Sequence, residues 1–571
     1  MDLQRILLIG AIAVLSFMLL TEWVAFTEER SSVATQETAR LLSNGNGNGS
    51  ATAEPALPAI DAVDAVDDDL PAPPPVTREA GAATPAAPAV PQGRIVEVHT
   101  DVLSFAIDLN GGDIVELSLP QHLARQDDPD VPLVLLEQND TLVYISRSGL
   151  LGPDGIDGNG RASFTTSGER FVLEPGEDTL TVDLVWTGSG SVAITKRFTL
   201  TRGDYLVDIE YLVENNSTQR WQANLFGQIK RGSAPPPAQD TAAMGLQPFL
   251  GVATTTPDDR FKKFSFDDLR EESFKAQLPA GWIAMIQHYF LSAWIPNQEK
   301  THTYSARATS SGYNIAEFTS PALIIDPGQA GTTGAGFYAG PKDQYRLEEI
   351  SPYLDLSVDY GWLWWIAQPL FWVLTMIQSV VVNWGVAIIL LTVLIKLIFY
   401  PLSAASYRSM ANMRRVQPKM MDIREQYADD KQKQSQAMME LYRKEKINPM
   451  GGCLPILVQM PVFIGLYWML MESVELRHAP FYLWIDDLSV MDPYFVLPLL
   501  MGASMWFMQK LNPPPPDPMQ AKIMQWMPIM FTFFFLWFPS GLVLYWLVNN
   551  LLSIAQQYWI TKQIENASAP A

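Results

Sequence analysis

The run "LLTVLIKLIFYPL", Leu390 to Leu402, carries a single lysine, Lys396, among Leu, Ile, Val and Phe. An ammonium group is costly inside an apolar segment, and in a membrane it points by default to a functional site. Thr392 lies four residues earlier, on the same helical face. Polar side chains punctuate other apolar stretches as well: Gln459 in Leu454–Ser473, and Asn549, Asn550, Ser553 and Gln556 in Ile523–Ile560. Such residues face a bundle interior or a wet cavity rather than lipid. Three polar strips and one cation suit a hydrated groove, which would hold polar or acidic polypeptide part-way through a bilayer and lower its desolvation cost. Two plainer readings stay open. Lys396 stands about 7.5 Å short of Pro401, so its stem could carry the charge out to the headgroups. A polar strip could also be glue between helices.

A second set of candidates lies in "YRSMANMRRVQPKMMDIREQYADDKQKQSQAMMELYRKEKINP", which begins at Tyr407. The pattern predicts helices broken at Pro418 and at Asp429-Asp430, forming a hairpin. Met410, Met413, Met420, Met421, Met438 and Met439 would suit a surface that accepts varied apolar partners. Arg414, Arg415 and their basic neighbours would suit ribosomal RNA or anionic lipid. Methionines packed between the two helices, with the charges as a solvated face, fit the same pattern.

Covalent and nucleotide chemistry find little support. The lone Cys453 excludes an intramolecular disulfide, and the five histidines show no pair at ligand spacing. Phosphate-loop, nucleophile-elbow and zinc-helix motifs are absent from the sequence. The expectation is a chain that is not an enzyme and takes no cofactor or metal.

The elements that must position these residues divide by charge. Residues 1–359 hold 24 Lys/Arg against 48 Asp/Glu, whereas residues 360–571 hold 15 against 13. So acidic an N-terminal part does not invite DNA. Ile6–Phe26 is long enough to span a bilayer, giving an anchor over 1–27. The Ala/Pro-rich, acidic stretch 28–92 reads as a disordered tether. Over 93–345, alternating segments such as "DTLTVDLVWTG" and "SVAITKRFTLTRGDYLVDIEYLVEN" predict a large antiparallel β-sandwich, whose strand aromatics are core or a sugar-binding face. Residues 346–382 read as a Trp-rich interfacial helix. Spans follow at 383–401, 454–474, 494–511, 523–538 and 542–561, joined by the hairpin 402–453, loops 475–493 and 512–522, and a turn at 539–541, with a short tail at 562–571. The last apolar block, 38 residues or about 57 Å as one helix, is too long for a single crossing. Pro539 and Gly541 supply its break. The basic loop stays cytoplasmic, so six spans leave both termini inside and the sandwich in the periplasm of a Gram-negative inner membrane.

These residues resemble the YidC family of membrane protein insertases. The likeness runs through "MDLQR", "LDLSVDYGWLWWIAQPLF", "NPMGGCLPILVQMP", "MLMESVELRHAPF", "DPYFVLPLLMG" and "FFLWFPSGLVLYW". The resemblance implies an α-helical polytopic membrane protein with a five-helix core, a groove open to cytoplasm and lipid, and a periplasmic supersandwich. It implies insertion and folding of nascent membrane proteins, alone or with the Sec translocon (SecYEG and SecDF), with the ribosome and membrane lipids as further partners. By position, Lys396, Thr392 and Gln459 fall on groove-lining sites; Trp546 and Asn549 join them. The 421–446 hairpin matches the loop that receives substrates. The family usually has arginine at Lys396 and often tyrosine at Trp546, and many relatives end in a basic tail where this chain has "KQIENASAPA". A channel or transporter with a sugar-binding-like periplasmic domain is the rival reading, and paired broken helices, its expected mark, are not seen in the sequence.

Overall fold

The computed structural model describes residues 70–71 and residues 95–568 apart from 140–141, 159, 189, 237–247, 428–429, 446–453 and 513–517. The anchor and nearly all of the tether, and Cys453, lie outside the described residues. Two compact units divide the chain, one of 66–513 with 528–571 and one of 1–65 with 514–527. The first holds the sandwich and almost all the described helices.

Alternating burial builds the sandwich. Leu206–Asn215 buries every second side chain, among them Val207, Ile209, Tyr211 and Val213, against one core. A ten-stranded sheet runs from the edge strand Phe274–Pro279 through Tyr313–Ile325 and Trp221–Gly232 to Ile95–His99 and Arg170–Val172. A nine-stranded sheet holds Val192–Thr201, Leu206–Asn215 and Ala330–Pro341. Among the described strands, pairings are antiparallel except at one edge, where Ile95–His99 and Arg170–Val172 run parallel. Trp282, Trp294 and Tyr211 are among the largest side chains fully enclosed. A capping box formed by Ser265 and Asp268 starts the short helix α1, Phe266–Glu271, and Asp343 caps α2, Gln344–Ile350.

The remaining helices are α3 (Trp364–Val381), α4 (Trp384–Ile398), α5 (Tyr400–Gln426), α6 (Lys431–Lys444), α7 (Leu454–Glu472), α8 (Val496–Leu511), α9 (Pro518–Phe534) and α10 (Ser540–Ser568). Packing sets α10 against α8, α4 and α5, and α3 against α4 and α7. A 3-10 turn, Phe535–Trp537, and Pro539 separate α9 from α10. Among the described residues, Gly361–Val381 is long and apolar enough to cross a membrane by itself. The pair α4 and α5 passes the same measure together but is bent by 67° at its junction. Trp362, Trp364, Trp365 and Trp372 on the first of these segments are exposed.

The helix α5 continues through Pro418, where the sequence predicts a break. Pro418 lies on the exposed side, so water can satisfy the carbonyl that loses its amide partner.

Polar contacts fasten the sandwich to the end of α7. Lys342 donates to Glu472 at 2.8 Å and to the carbonyl of Ser357 at 3.1 Å, and both side chains are buried. His288 bonds the carbonyl of Met471 at 2.8 Å through Nε2. Arg477 donates to the carbonyls of Leu123 and Ala124 and lies over the Phe290 ring.

Candidate functional site

Asn383 starts α4: its side chain accepts from the Val386 amide and donates to the carbonyls of Pro480 and Phe481. Gly385 then lets the helix approach Phe481, where a Cβ would clash. One face of α4, with Ile388, Leu391, Thr392, Ile395 and Lys396, is buried, while Leu390, Leu394, Leu397 and Ile398 are exposed. Lys396 therefore sits on the inward face, 4% exposed. Its ammonium donates to the Ser553 hydroxyl of α10 at 2.7 Å. It does not run out along the exposed face, as snorkelling would require. Among the described residues no carboxylate stands within ion-pair distance of it. The Ser553 hydroxyl itself donates to the Asn549 carbonyl at 2.7 Å, leaving its lone pairs for the ammonium. The Tyr407 side chain of α5 lies near Ser553 as well. Helices α4 and α5 both pack against α10 around this residue.

Helical spacing puts Trp546, Asn549, Ser553 and Gln556 on one face of α10. The Trp546 indole packs against Phe463 of α7 at 4.5 Å and against Phe535 at 5.4 Å. Its Nε1 and the Gln556 Oε1 are buried, with no hydrogen-bond partner among the described residues. Donors and acceptors left open on the helix face that holds a buried ammonium are what a water-filled or polypeptide-filled cleft would satisfy. Thr392 instead spends its hydroxyl on the Ile388 carbonyl at 2.7 Å. Gln459 is half-buried on α7 and makes no hydrogen bond among the described residues.

The neighbouring polar strip does something different. Asn550 donates to Ser504 of α8 at 3.0 Å, and Gln557 to Asn512 at 2.9 Å. These two bonds are glue between α10 and α8. Sequence spacing alone does not divide Asn550 from Asn549; the packing partner on each side does.

The basic hairpin splits its methionines. Met420 is buried with Val416 and Leu441, and Met438 packs against them, so these two hold α5 to α6. Met421 and Met439 are exposed. Arg414 and Arg415 are exposed too, and Lys419 pairs with Glu445 at 2.7 Å.

Comparison with known proteins gives the ancestry. Residues 376–567 match the family model described as 60Kd inner membrane protein, and residues 95–373 match that of the YidC periplasmic domain. The protein named membrane protein insertase YidC of Cellvibrio japonicus is 50% identical over 573 residues, with all of both chains covered. The chain belongs to the YidC family. The Stutzerimonas stutzeri YidC is 49% identical over 571 residues, again across all of both chains. A solved structure of an active YidC insertase with its first transmembrane domain resolved covers 82% of this chain and 93% of its own at 20% identity, with a TM-score of 0.38. Ser553 is the residue that the four-residue periodicity signals most plainly, since it stands where α10 faces Lys396 of a YidC-type core.

Proposed function

We propose that this chain inserts and helps fold nascent membrane proteins in the bacterial inner membrane. Its membership of a family whose full-length relatives are named membrane protein insertases supports this, as does the match to an inner-membrane family and a periplasmic domain. The carrying observation is the Lys396 ammonium, enclosed between α4 and α10 on the Ser553 hydroxyl with no acid beside it among the described residues. A cation held this way attracts an acidic or polar stretch of substrate, and the open Trp546 and Gln556 groups offer that stretch hydrogen bonds as it leaves water.

In this reading Thr392, Lys396, Gln459, Trp546 and Asn549 line the route. Exposed Met421 and Met439 receive apolar segments on the cytoplasmic side, and Arg414 and Arg415 meet the ribosome. Six spans with both termini inside complete the topology, and the Sec translocon is a partner for larger substrates. Short helices favour the route: α4 has 15 residues and α8 has 16, about 22–24 Å at 1.5 Å per residue, against a hydrocarbon core of about 30 Å. Such mismatch thins the bilayer locally. Driving force then comes from hydrophobic transfer of the substrate itself.

Reconstituted insertion separates charge from geometry. Lys396→Ala lowers insertion of substrates with acidic translocated tails by about tenfold, the loss of one charge-assisted contact of roughly 1.5 kcal/mol, while Lys396→Arg is tolerated. Equal insertion of such substrates by wild type and the alanine variant rejects the role.

A further inference from the structure

Arg231 in the sandwich has no use in this mechanism. It lies near the end of the strand Trp221–Gly232 and is 4% exposed. Directly across the register stands Tyr144, whose ring lies 4.7 Å from the guanidinium carbon, and Phe266 of α1 lies 6.0 Å away. Two rings flank its guanidinium. Among the described residues no carboxylate, carbonyl or hydroxyl accepts from the guanidinium, and its Nη1 is buried and unpartnered. An arginine cannot shed its proton to escape burial. Desolvated cation–π contacts return about 2 kcal/mol or more, which offsets only part of the several kcal/mol that a buried ion without a counter-charge costs, and at 6.0 Å the second ring stands at the limit of their range. Two other enclosed cations of this sandwich have such a counter-charge or a ring of carbonyls: Arg161 has Asp113 and Asp157, and Lys196 has three carbonyls.

The same guanidinium lines a half-open cavity of about 220 Å³. Tyr144 and Gln287 share its inner wall, and Tyr313 and Pro235 give it apolar sides. Glu137, bonded by Asn139 at 2.7 Å, stands at the rim, where a carboxylate oxygen can accept from hydroxyl groups. The volume equals about seven waters and falls below the range of roughly 300–1,000 Å³ for drug-sized ligands. One ring fits.

We propose that this cavity is a binding site for a small hydroxylated carboxylate, with the ligand's carboxylate on Arg231 and its hydroxyls toward Glu137. The fork of a guanidinium is shaped for a carboxylate, and burial strengthens the pairing. The proposal is independent of the insertase reading, since the site lies in the sandwich and touches none of the residues of the helical cleft.

The full chain in detergent, titrated with glucuronate and followed by thermal unfolding and calorimetry, tests it. Glucuronate should raise the unfolding midpoint of wild type, and glucose at equal concentration should not. Arg231→Gln should weaken glucuronate binding at least tenfold, with Arg231→Lys in between. Without ligand, Arg231→Gln should unfold at or above the wild-type temperature, because an uncompensated charge has been removed. Any of three results overturns the proposal: no shift with glucuronate, the same shift in Arg231→Gln, or an equal shift from inorganic phosphate. A lower ligand-free midpoint in both Arg231 variants would overturn it too, by making the arginine a packing residue.

Discussion

Lys196 in the sandwich and Lys396 among the helices are both enclosed, and their surroundings differ in kind. The Lys196 ammonium meets the carbonyls of Gly112, Gly111 and Ser148 at 2.7, 3.2 and 3.3 Å, and the rings of Phe198 and Tyr211 at 5.3 and 5.5 Å. Asp113 and Asp157 are near enough to favour its charge, and Arg161 bridges the same two acids. Lys396 has the Ser553 hydroxyl. The scaffold surrounds its ammonium with carbonyls, rings and acids that offset part of the burial cost, because an unmet charge would cost several kcal/mol. In the proposed insertion route, a charge left with one neutral acceptor among the described residues is held ready for substrate. Lys342, paired with Glu472 where the sandwich meets α7, belongs to the first kind.

Removing a partner on each side separates the two kinds. Asp157→Ala strips Arg161 of an acid and leaves the amides of Leu150 and Ala162 without their acceptor. It should cost about 3–5 kcal/mol, lowering the unfolding midpoint on the order of ten degrees. By the same calorimetry Lys396→Ala should change stability by under about 1 kcal/mol, because no acid loses its partner. A large loss in Lys396→Ala would make the two lysines alike.

Glu472→Gln is the intermediate case. It keeps the shape at the sandwich–helix junction but leaves the Lys342 charge without its counter-ion, so a loss of about 1–3 kcal/mol is expected, read as earlier proteolysis at the junction. Unchanged protease resistance would remove the ion pair from the joint.

The smallest effect is a pH slope. Burial pushes the Lys196 ammonium down from 10.5 to about 7, with the neighbouring acids opposing. Between those values the unfolded chain holds a proton that the folded chain has released, so stability rises with pH across that window. Lys196→Met should flatten denaturant midpoints measured from pH 7 to pH 10. A slope unchanged by that substitution assigns it to other groups.

Part of this was legible in residue order. The four-residue step from Thr392 to Lys396 sets both on one face of α4, and strict alternation in "LVDIEYLVEN" gives the core strand Leu206–Asn215. What residue order does not hold is the partner across a contact. Asn549 and Asn550 read alike until α8 claims one of them through Ser504. Met420 and Met421 read alike until Leu441 and Val416 enclose the first. Pro418 reads as a break because propensity is local, whereas its exposed position lets the helix run on. The parallel edge pair and the lone Arg231 depend on contacts between strands far apart in the chain, which no window of sequence contains.

Site-specific photocrosslinking from positions 392, 459 and 546 to a ribosome-stalled nascent membrane protein asks whether polypeptide enters the space between α4 and α10. The account predicts crosslinks from 392 and 546 that appear only when the substrate's hydrophobic segment has emerged, and that fall in Lys396→Ala for substrates with acidic tails. Crosslinks confined to exposed lipid-facing controls at 390 and 397, with none from 392 or 546, would contradict it.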